Sequence, residues 1–513
     1  MHDLLLRDVR LVDLDGAGTQ AEPVDVLVLD GVVAQVGPRP ATREGRGGND
    51  VPEHAIPVLE GAGRWAVPGL WDHHVHLQQW GLTRARLDLS AAGSVEDALE
   101  TVRGALASGS LPPTGVLTGF GHRSATWAEQ PTRAALDGVT GEVPVVLISA
   151  DCHHGWLNGA ALHRLGLPPG DGVVCEAEWF RAYDLLTDLP GSGTQTAAAV
   201  SAAVRDALAR GVVGVTDLEF GRPWELWRDR HEAGGQVLRA RVGVYPEHLQ
   251  HVLDAGARTG GPVAGTGGLV TMGPLKIISD GSLNTRTAWC HQPYADGHLL
   301  AHPRGAANHD AAQVRDLLAT ATGAGLEVAL HAIGDAAVHQ ALVAFAQTGA
   351  RGGIEHAQLV DPADLPLWAG LPVRASVQPA HLLDDRAVTE QCWPDRADRT
   401  FTLRSFLDHG IELVLGSDAP VAPLDPWLAM AAAVHRGPVE EDSWHPEQAL
   451  TPREALAASV DGRRLCPGAP GDVVLLDADP LAPAGMPSRE QARALRSASV
   501  SATVLAGQLV HGR

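Results

Sequence analysis

The sequence predicts an α/β protein, a (β/α)8 TIM barrel with a small β-sandwich domain formed from both termini and an insertion after the first barrel strand. Eight apolar strand candidates alternate with Ala- and Leu-rich helical stretches through the middle of the chain, which is typical of a parallel sheet. Both ends of the chain carry short β segments instead. A length of 513 residues accommodates one large barrel and one smaller domain.

The two ends of the chain are predicted to form the sandwich together. The segments LLLRDVRLVDL and VDVLVLDGVVAQVGP alternate apolar and polar residues and contain a DG turn, and GDVVLLDADP and VSATVLAGQLVHGR follow the same pattern. We therefore assign residues 1–64 and 466–513 to the sandwich and residues 65–465 to the barrel. The polar, glycine-rich stretch at 40–56 is predicted to be a loop.

The barrel strands are predicted in chain order from the apolar runs. The candidates lie at 66–76, 211–219, 239–245, 273–281, 326–332, 352–358, 372–378 and 411–418. The long gap at about 77–210 must hold an insertion, which contains its own strand VPVVLIS and the motif DCHHGWLN. Segments that follow barrel strands lie on the C-terminal face, so we expect this insertion to cover the active site.

Six side chains able to bind metal are placed at the C-terminal ends of these strands. They are His74, His76, Lys276, His331, His356 and Asp418. Positions i and i+2 of a strand face the same side, so both histidines of the HVH motif can reach one ion. Neutral imidazole and carboxylate suit Zn²⁺ and its neighbours, and the set would also accept Fe, Mn or Co.

Lys276 is the only lysine in the chain, and the other 38 residues of the 39 Lys and Arg are arginine. Arginine replaces lysine on a surface, but it cannot supply a neutral amine. A buried lysine has a lowered pKa, and its neutral amine can take up carbon dioxide to form a carbamate that bridges two cations. A plain salt bridge or a Schiff-base nucleophile are the alternatives for this residue.

Several motifs resemble the amidohydrolase superfamily over nearly the whole chain. They are VPGLWDHHVHL, GPLKIISDGSLNTRTA, LHAIGDAAV, IEHAQLV and GSDAPVAPLDPW. The branch that includes N-substituted formamide deformylase is the most similar, and PTRAALD, DCHHGWLN, EQALTPREAL and GDVVLLDADP support this branch.

The resemblance implies a binuclear metal centre and a hydrolytic reaction. By position, the ligands are His74 and His76 for one ion, His331 and His356 for the other, carbamylated Lys276 as the bridge, and Asp418. It implies two divalent ions, with Zn as the default, and a metal-bridging hydroxide that attacks a formamide, N-acyl amide or cyclic amide. Asp418 would accept the proton and return it to the leaving nitrogen.

Five further residues are candidates for binding a small-molecule substrate. They are Trp127, His153 and Trp156 in the insertion, Arg286 after the fourth strand, and Gln378 at the end of the seventh. His153 matches the DGH position of the family, and Cys152 stands where the family often has glycine. Arg286 would bind an anionic group and Gln378 would hydrogen-bond the substrate, although a structural role is the alternative for each residue.

Three other functions are alternatives to the hydrolase. A mononuclear deaminase of the same superfamily usually has a glutamate three residues after the fifth-strand histidine, where this chain has Gly334, and lacks the bridging lysine. A non-catalytic binding barrel would be expected to have lost ligands, and none is lost. An isomerase or decarboxylase on the same scaffold is compatible with the ligands, because ligands do not name a substrate.

The composition restricts the partners and the compartment. A net charge of −22 opposes nucleic acid and anionic membranes as partners, and no apolar run is long enough for a transmembrane helix. Five scattered cysteines and the lack of a signal-peptide pattern favour a reducing, cytoplasmic location. A homodimer is a reasonable expectation for such an enzyme.

Overall fold

The structure is a computed structural model of the chain. It describes residues 2–16, 22–38, 56–83, 86–109, 112, 114–190, 192–235, 238–482 and 484–512. All but the last residue of the loop predicted at 40–56 lies outside these described residues.

An eight-stranded parallel sheet forms the centre of the molecule. Its strands are β5 (Leu70–Val75), β11 (Val212–Asp217), β12 (Arg239–Val244), β13 (Val270–Ile278), β14 (Val328–Ala332), β15 (Gly352–His356), β16 (Val373–Val377) and β17 (Leu413–Leu415). Neighbouring strands follow this order and pair in parallel. A parallel bridge between Val75 and Ala419 joins the last strand to the first. The predicted barrel is thereby confirmed.

A seven-stranded sheet draws its strands from both ends of the chain. The strands are β1 (Leu4–Leu11), β2 (Val24–Leu29), β3 (Val32–Gly37), β4 (Val58–Pro68), β18 (Val473–Leu476), β19 (Val500–Leu505) and β20 (Gln508–Gly512). Strand β4 lies between β1 and β18 and is the seam between the two terminal segments. Strand β4 ends at Pro68, four residues beyond the predicted domain bound at residue 64. The domain bounds remain a prediction.

Gly69 connects the terminal sheet to the barrel, since it is the single residue between β4 and β5. A Cβ at this position would come within 2.2 Å of the Val213 side chain, so no larger residue fits without displacement. The Gly69 N–H donates to the carbonyl oxygen of Asp472, at a distance of 3.0 Å. The strand that carries the HVH motif is therefore fixed directly to the terminal sheet.

A separate five-stranded sheet lies between the first and second barrel strands. Its elements are β6 (Leu87–Asp88), α2 (Val95–Ala107), β7 (Leu117–His122), α3 (Arg133–Thr140), β8 (Val145–Ser149), β9 (His154–Leu157), α4 (Gly159–Arg164), β10 (Val173–Cys175) and α5 (Glu176–Thr187). The predicted strand VPVVLIS contains β8, and all five residues of β8 are buried. Apolar side chains on both faces of this sheet give the insertion its own core.

The remaining helices surround the barrel or pack against the terminal sheet. They are α1 (Leu77–Thr83), α6 (Ser192–Ala209), α7 (Pro223–Glu232), α8 (Pro246–Asp254), α9 (Ala311–Gly323), α10 (Asp335–Thr348), α11 (Leu365–Ala369), α12 (Leu382–Cys392), α13 (Leu403–Asp408), α14 (Pro426–His435), α15 (Pro452–Ala457) and α16 (Ser488–Arg496). Short 3-10 turns are Ser124–Thr126, Gly297–Leu299, Pro362–Asp364, Pro379–His381, Ala397–Arg399 and Pro446–Gln448. Among the described helices, none combines the length and the apolar character needed to cross a bilayer.

Candidate metal centre

The barrel brings the six predicted ligands together at one end. His74 lies in β5, Lys276 in β13, His331 in β14 and His356 at the end of β15, while His76 and Asp418 follow β5 and β17. Parallel strands end at the same edge of a barrel, so these side chains converge. All six line one cavity of about 550 Å³.

Asp418 occupies the centre of the cluster. Its Oδ1 lies 3.3 Å from His74 Nε2 and 3.4 Å from His76 Nε2. The ligand atoms of these three residues all fall within 4.8 Å of one another, which is compact enough to hold one ion. Lys276 Nζ lies 3.4 Å from His74 Nε2, so the amine belongs to the same cluster.

The other carboxylate oxygen of Asp418 faces a second group of histidines. His356 Nδ1 lies 4.0 Å and His381 Nε2 lies 3.9 Å from Asp418 Oδ2, and the three residues form a second compact set. The His331 ring centroid is 4.5 Å from that of His356. His331 Nε2 contacts the Gly281 carbonyl oxygen at 3.2 Å, so Nδ1 is its remaining ligand atom.

Buried polar atoms without hydrogen-bond partners test whether this site fits a metal. His76 Nδ1 and His356 Nδ1 are buried and have no partner among the described residues. Buried polar groups are normally paired, so such atoms call for a ligand. Because histidines and an aspartate are also the donors that divalent transition metals prefer, the residues present fit a metal centre.

Burial favours the neutral forms of His74, His331 and Lys276. Burial, reinforced by the charge of Lys276, lowers the pKa of His74 and holds the pKa of His331 well below its ordinary value. Burial also lowers the pKa of Lys276. For Asp418, burial acts to raise the pKa, but the surrounding histidines overcome it and hold that pKa well below its usual range. Neutral nitrogen and an anionic carboxylate are the forms that bind metals.

Two residues that the sequence analysis missed, the buried Glu355 and the partly buried His381, support this cluster. Glu355 Oε2 accepts a hydrogen bond from His74 Nδ1 at 2.7 Å, which fixes the ring and leaves Nε2 toward Asp418. Histidine ligands commonly donate their second N–H to a carboxylate in this way. A glutamate inside an otherwise apolar strand was the available signal. His381, in the segment QPAH after the seventh strand, was signalled only by its position at a strand end.

His153 is the predicted substrate residue that lines the metal cavity. Its Nδ1 lies 3.0 Å from Glu176 Oε2. Burial disfavours the charged ring, but the Glu176 carboxylate prevails and raises the pKa of His153 to about 9. Glu176 also accepts hydrogen bonds from Thr285 and Thr287 of the barrel, so it links the insertion to the loop after β13.

The other predicted substrate residues lie elsewhere. Trp156 is fully buried in the insertion core and donates to the Thr132 carbonyl oxygen, because both faces of its strand pack against apolar side chains. Trp127 packs in the same core and borders a smaller cavity of about 410 Å³, together with Arg286.

Internal contacts explain the positions of the two polar candidates. Arg286 Nε donates to Asp296 at 3.2 Å, so the guanidinium is held by a side chain of its own loop outside the metal cavity. Gln378 is buried, and its Nε2 lies 3.3 Å from His74 Nδ1. Gln378 therefore contacts a metal-ligand candidate rather than the cavity.

Gly334, where a mononuclear deaminase would usually have glutamate, is packed tightly against backbone atoms of Trp289. A Cβ at Gly334 would come within 2.0 Å of the Trp289 carbonyl oxygen, and the Gly334 N–H donates to Asp280 at 2.9 Å. A glutamate could not occupy this position without a backbone shift. The geometry therefore opposes the arrangement expected of a mononuclear deaminase.

Known proteins are similar to this chain in sequence. The sequence model of the amidohydrolase family matches residues 60–511. The chain is similar to a putative amidohydrolase, YtcJ, of Bacillus subtilis strain 168, with 28% identity covering 95% of each chain. It is also similar to the N-substituted formamide deformylase of Arthrobacter pascens, with 25% identity covering 94% of each chain.

A solved structure has the same fold. It is an uncharacterized metal-dependent hydrolase from Pyrococcus horikoshii OT3, which superposes with a TM-score of 0.76 at 25% identity. The alignment covers 94% of this chain and 98% of that one, so the likeness includes the insertion and the terminal sheet as well as the barrel.

Proposed function

The chain belongs to the amidohydrolase family and is a metal-dependent hydrolase, and from this premise we propose that it uses two divalent ions to cleave a carbon–nitrogen bond. The substrate we propose is a small formamide, N-acyl amide or cyclic amide. The observation that carries the proposal is the convergence of six metal-competent side chains from five barrel strands on one cavity.

Each ion is assigned its own set of ligands. His74, His76 and Asp418 would hold one ion, and His331 and His356 would hold the other, with His381 close to this second group. When bound, divalent ions supply Lewis-acid polarisation of a carbonyl and activation of water at neutral pH. Zn²⁺ is the default for this donor set.

Lys276 is proposed to carry a carbamate between the two groups. Its lowered pKa favours the neutral amine, whose nitrogen can form a bond to the carbon of carbon dioxide and release one proton. The product is a carboxylate on a long arm, and it would offer one oxygen to each group. Its 3.4 Å contact with His74 places the amine within the ligand cluster, which supports this role.

Asp418 and His153 are proposed to handle protons and orient the substrate. The Asp418 carboxylate would accept a proton from the attacking water and deliver it to the leaving nitrogen. His153, charged and held by Glu176, would donate a hydrogen bond from Nε2 to a substrate oxygen. The products are an amine and a carboxylic acid, which together contain the atoms of the amide and of one water molecule.

Metal content per chain tests the proposal. We expect about two divalent ions on protein purified without chelator, measured by plasma mass spectrometry, and fewer in Lys276→Ala and Lys276→Arg, because neither side chain can become a carbamate. Amide hydrolysis should fall at least about a hundredfold in both variants. His339→Asn, which changes an exposed barrel histidine bound to Asp364, should keep the metal and the activity.

Two outcomes would contradict the proposal. One ion that is unaffected by the loss of Lys276 would favour the mononuclear deaminase. No ion after metal supplementation would favour a binding barrel.

A further inference from the structure

One wall of the metal cavity is lined by three aromatic side chains, Phe180, Phe220 and Tyr245. The Phe220 ring stacks on the His76 ring at 5.4 Å between centroids and on the Tyr245 ring at 4.8 Å. Phe180 packs against Phe220 at 5.7 Å. All three rings line the cavity. The wall therefore begins at a metal-ligand candidate and continues away from it, where the part of a substrate beyond the scissile bond would lie.

A buried carboxylate lies beside this wall. Glu219 directly precedes Phe220 and is 4% exposed. It accepts hydrogen bonds from the Gln78, Gln79 and Phe220 backbone N–H groups and from the Gln79 side chain, at 3.0 to 3.1 Å. All four donors are neutral, so its negative charge is stabilised by dipoles and is not cancelled by a bonded cation.

The negative field of Glu219 reaches the stack. Burial and then Glu219 raise the pKa of Tyr245 well above its ordinary value. An aromatic ring presents a negative face to a cation, and a desolvated cation over such a face is stabilised further. The aromatic wall and the Glu219 carboxylate beside it therefore both favour the binding of a cation.

The outer part of the cavity is also negative. Asp184 and Glu247 are exposed carboxylates that line it beyond the stack. Within the described part of the chain, no arginine lines this cavity, and its single lysine lies among the metal ligands. The charged His153 is paired with Glu176. Arg86 donates to the hydroxyl of Tyr183, another lining residue, at 2.7 Å. The charges that act on Tyr245 are carboxylates, with Glu219 and Glu247 the largest. A substrate group beside Phe220 and Tyr245 therefore lies in a negative field.

We propose that this wall binds a positively charged nitrogen, and that the substrate is an amide whose amine portion carries such a group, as in a monoacylated diamine. This inference rests on the proposed function, because that function places the acyl group at the metal ligands. The cation lies beside Phe180, Phe220 and Tyr245, within the field of Glu219, and the exposed carboxylate Glu247 steers it into the cavity.

Two matched series of ligands test this charge preference on the full-length, metal-loaded enzyme. The kinetic series is monoformyl pentanediamine, N-hexylformamide and formamidohexanoate, which differ only in a cationic, neutral or anionic far end. The binding series is the corresponding alcohols, namely aminopentanol, hexanol and hydroxyhexanoate, whose far ends are cationic, neutral and anionic, measured by calorimetry. We expect kcat/KM and affinity to favour the cationic member over the neutral one by about tenfold, and over the anionic one by more.

Variants assign the preference to named side chains. Glu219→Gln keeps an acceptor but removes the charge, and Phe220→Leu keeps an apolar side chain but removes the ring face. Each should reduce the preference for the cationic member to about threefold or less. Glu247→Gln is a second test at an exposed position that lines the cavity. Glu178→Gln, on the helix of Phe180 and exposed outside the cavity, is the matched control and should keep the full preference.

The two arms separate this inference from the proposed reaction. If none of the formamides is cleaved but aminopentanol still binds more tightly than hexanol, the cation site is supported and the proposed formamide reaction is not. If all three formamides are cleaved with equal kcat/KM and the three alcohols bind equally, the cation site is overturned while the hydrolase stands. A preference that persists in both Glu219→Gln and Phe220→Leu also overturns it.

Discussion

At the scale of single residues, the candidate metal centre depends on side chains that hold the candidate ligands as much as on the candidate ligands themselves. His356 and Asp418 have positive φ angles of 70° and 55°, which cost non-glycine residues about 1–3 kcal/mol each. Such strain persists only where the surrounding structure fixes the backbone. Here the Asp418 N–H donates to the His74 carbonyl oxygen at 2.7 Å, so two ligands fix each other's position.

Glu355→Gln is expected to weaken metal binding by about 10- to 100-fold, because the neutral amide no longer anchors and polarises the His74 ring. Competition with a chromogenic chelator measures the affinity. Glu327→Gln, which changes a half-buried carboxylate paired with Arg374 at the opposite end of the barrel strands, is the matched control. Equal affinity in Glu355→Gln and the unmodified enzyme would remove Glu355 from the support of the site.

The sequence predicted which side chains converge but not the neighbours that hold them. The ligand candidates His74, His76, Lys276, His331, His356 and Asp418 line one cavity because strand ends in a barrel share one face, so position along the chain predicts position in space. The roles of Glu355 and His381 depend on contacts across strands far apart in sequence. Trp127 and Trp156 were expected at the cavity, but which face of an insertion strand is buried depends on partners that the sequence does not specify.

At the scale of secondary-structure elements, the eight strand candidates correspond to the eight barrel strands, while their bounds differ. The candidate at 411–418 contains only the three-residue strand Leu413–Leu415, because the chain leaves the sheet after Leu415 and turns at Asp418. The candidate at 66–76 covers the end of β4 and all of β5. Apolar runs predict burial, and hydrogen bonding to a neighbour decides where a strand ends.

Helix α15 provides a pH-dependent contribution to stability. Thr451 and Glu454 form a capping box, and Arg404 of α13 donates to the Glu454 carboxylate. Burial acts to raise the pKa of Glu454, but the hydrogen bonds from Arg404 and Thr451 prevail and lower it from 4.5 to about 2. A depressed pKa in the folded state means that the stabilisation is present above about pH 4.5 and is lost as the pH falls toward 2.

Glu454→Gln is therefore expected to lower stability by about 1–2 kcal/mol near neutral pH, a value discounted because the carboxylate is partly exposed to solvent. The difference from the unmodified protein should shrink as the pH falls from about 4.5 toward 2. Urea unfolding midpoints at several pH values measure it. Glu447→Gln, at an exposed pair with His445, should change little, and a difference independent of pH would contradict the assignment.

At the scale of the whole molecule, buried ion pairs join the barrel to the terminal sheet. Asp472 is 1% exposed and lies just before β18. It accepts hydrogen bonds from Arg239 of β12 at 2.6 and 3.0 Å, from Arg463 at 2.7 Å, and from the Ala506 N–H at 2.8 Å. One carboxylate thus contacts a barrel strand and two terminal segments.

Asp472→Asn should destabilise the protein by about 3 kcal/mol, because Arg239 would be left without its buried counter-charge and Arg463 would keep only Asp461. The urea midpoint should fall, while the metal content of the folded protein stays unchanged because Asp472 is remote from the ligands. Asp477→Asn, at an exposed pair with Arg64, is the control and should shift the midpoint by little. An unchanged midpoint in Asp472→Asn would show that the junction depends on other contacts.

The position of β4 between β1 and β18 has a consequence for the order of folding during synthesis. The first terminal strands can pair with β4 as soon as they leave the ribosome, but its other neighbour begins only at Val473. Until then the strand that continues through Gly69 into β5 has one open edge, and open edges invite pairing with other chains. The nascent barrel is therefore most exposed to aggregation during the interval before its last segment emerges.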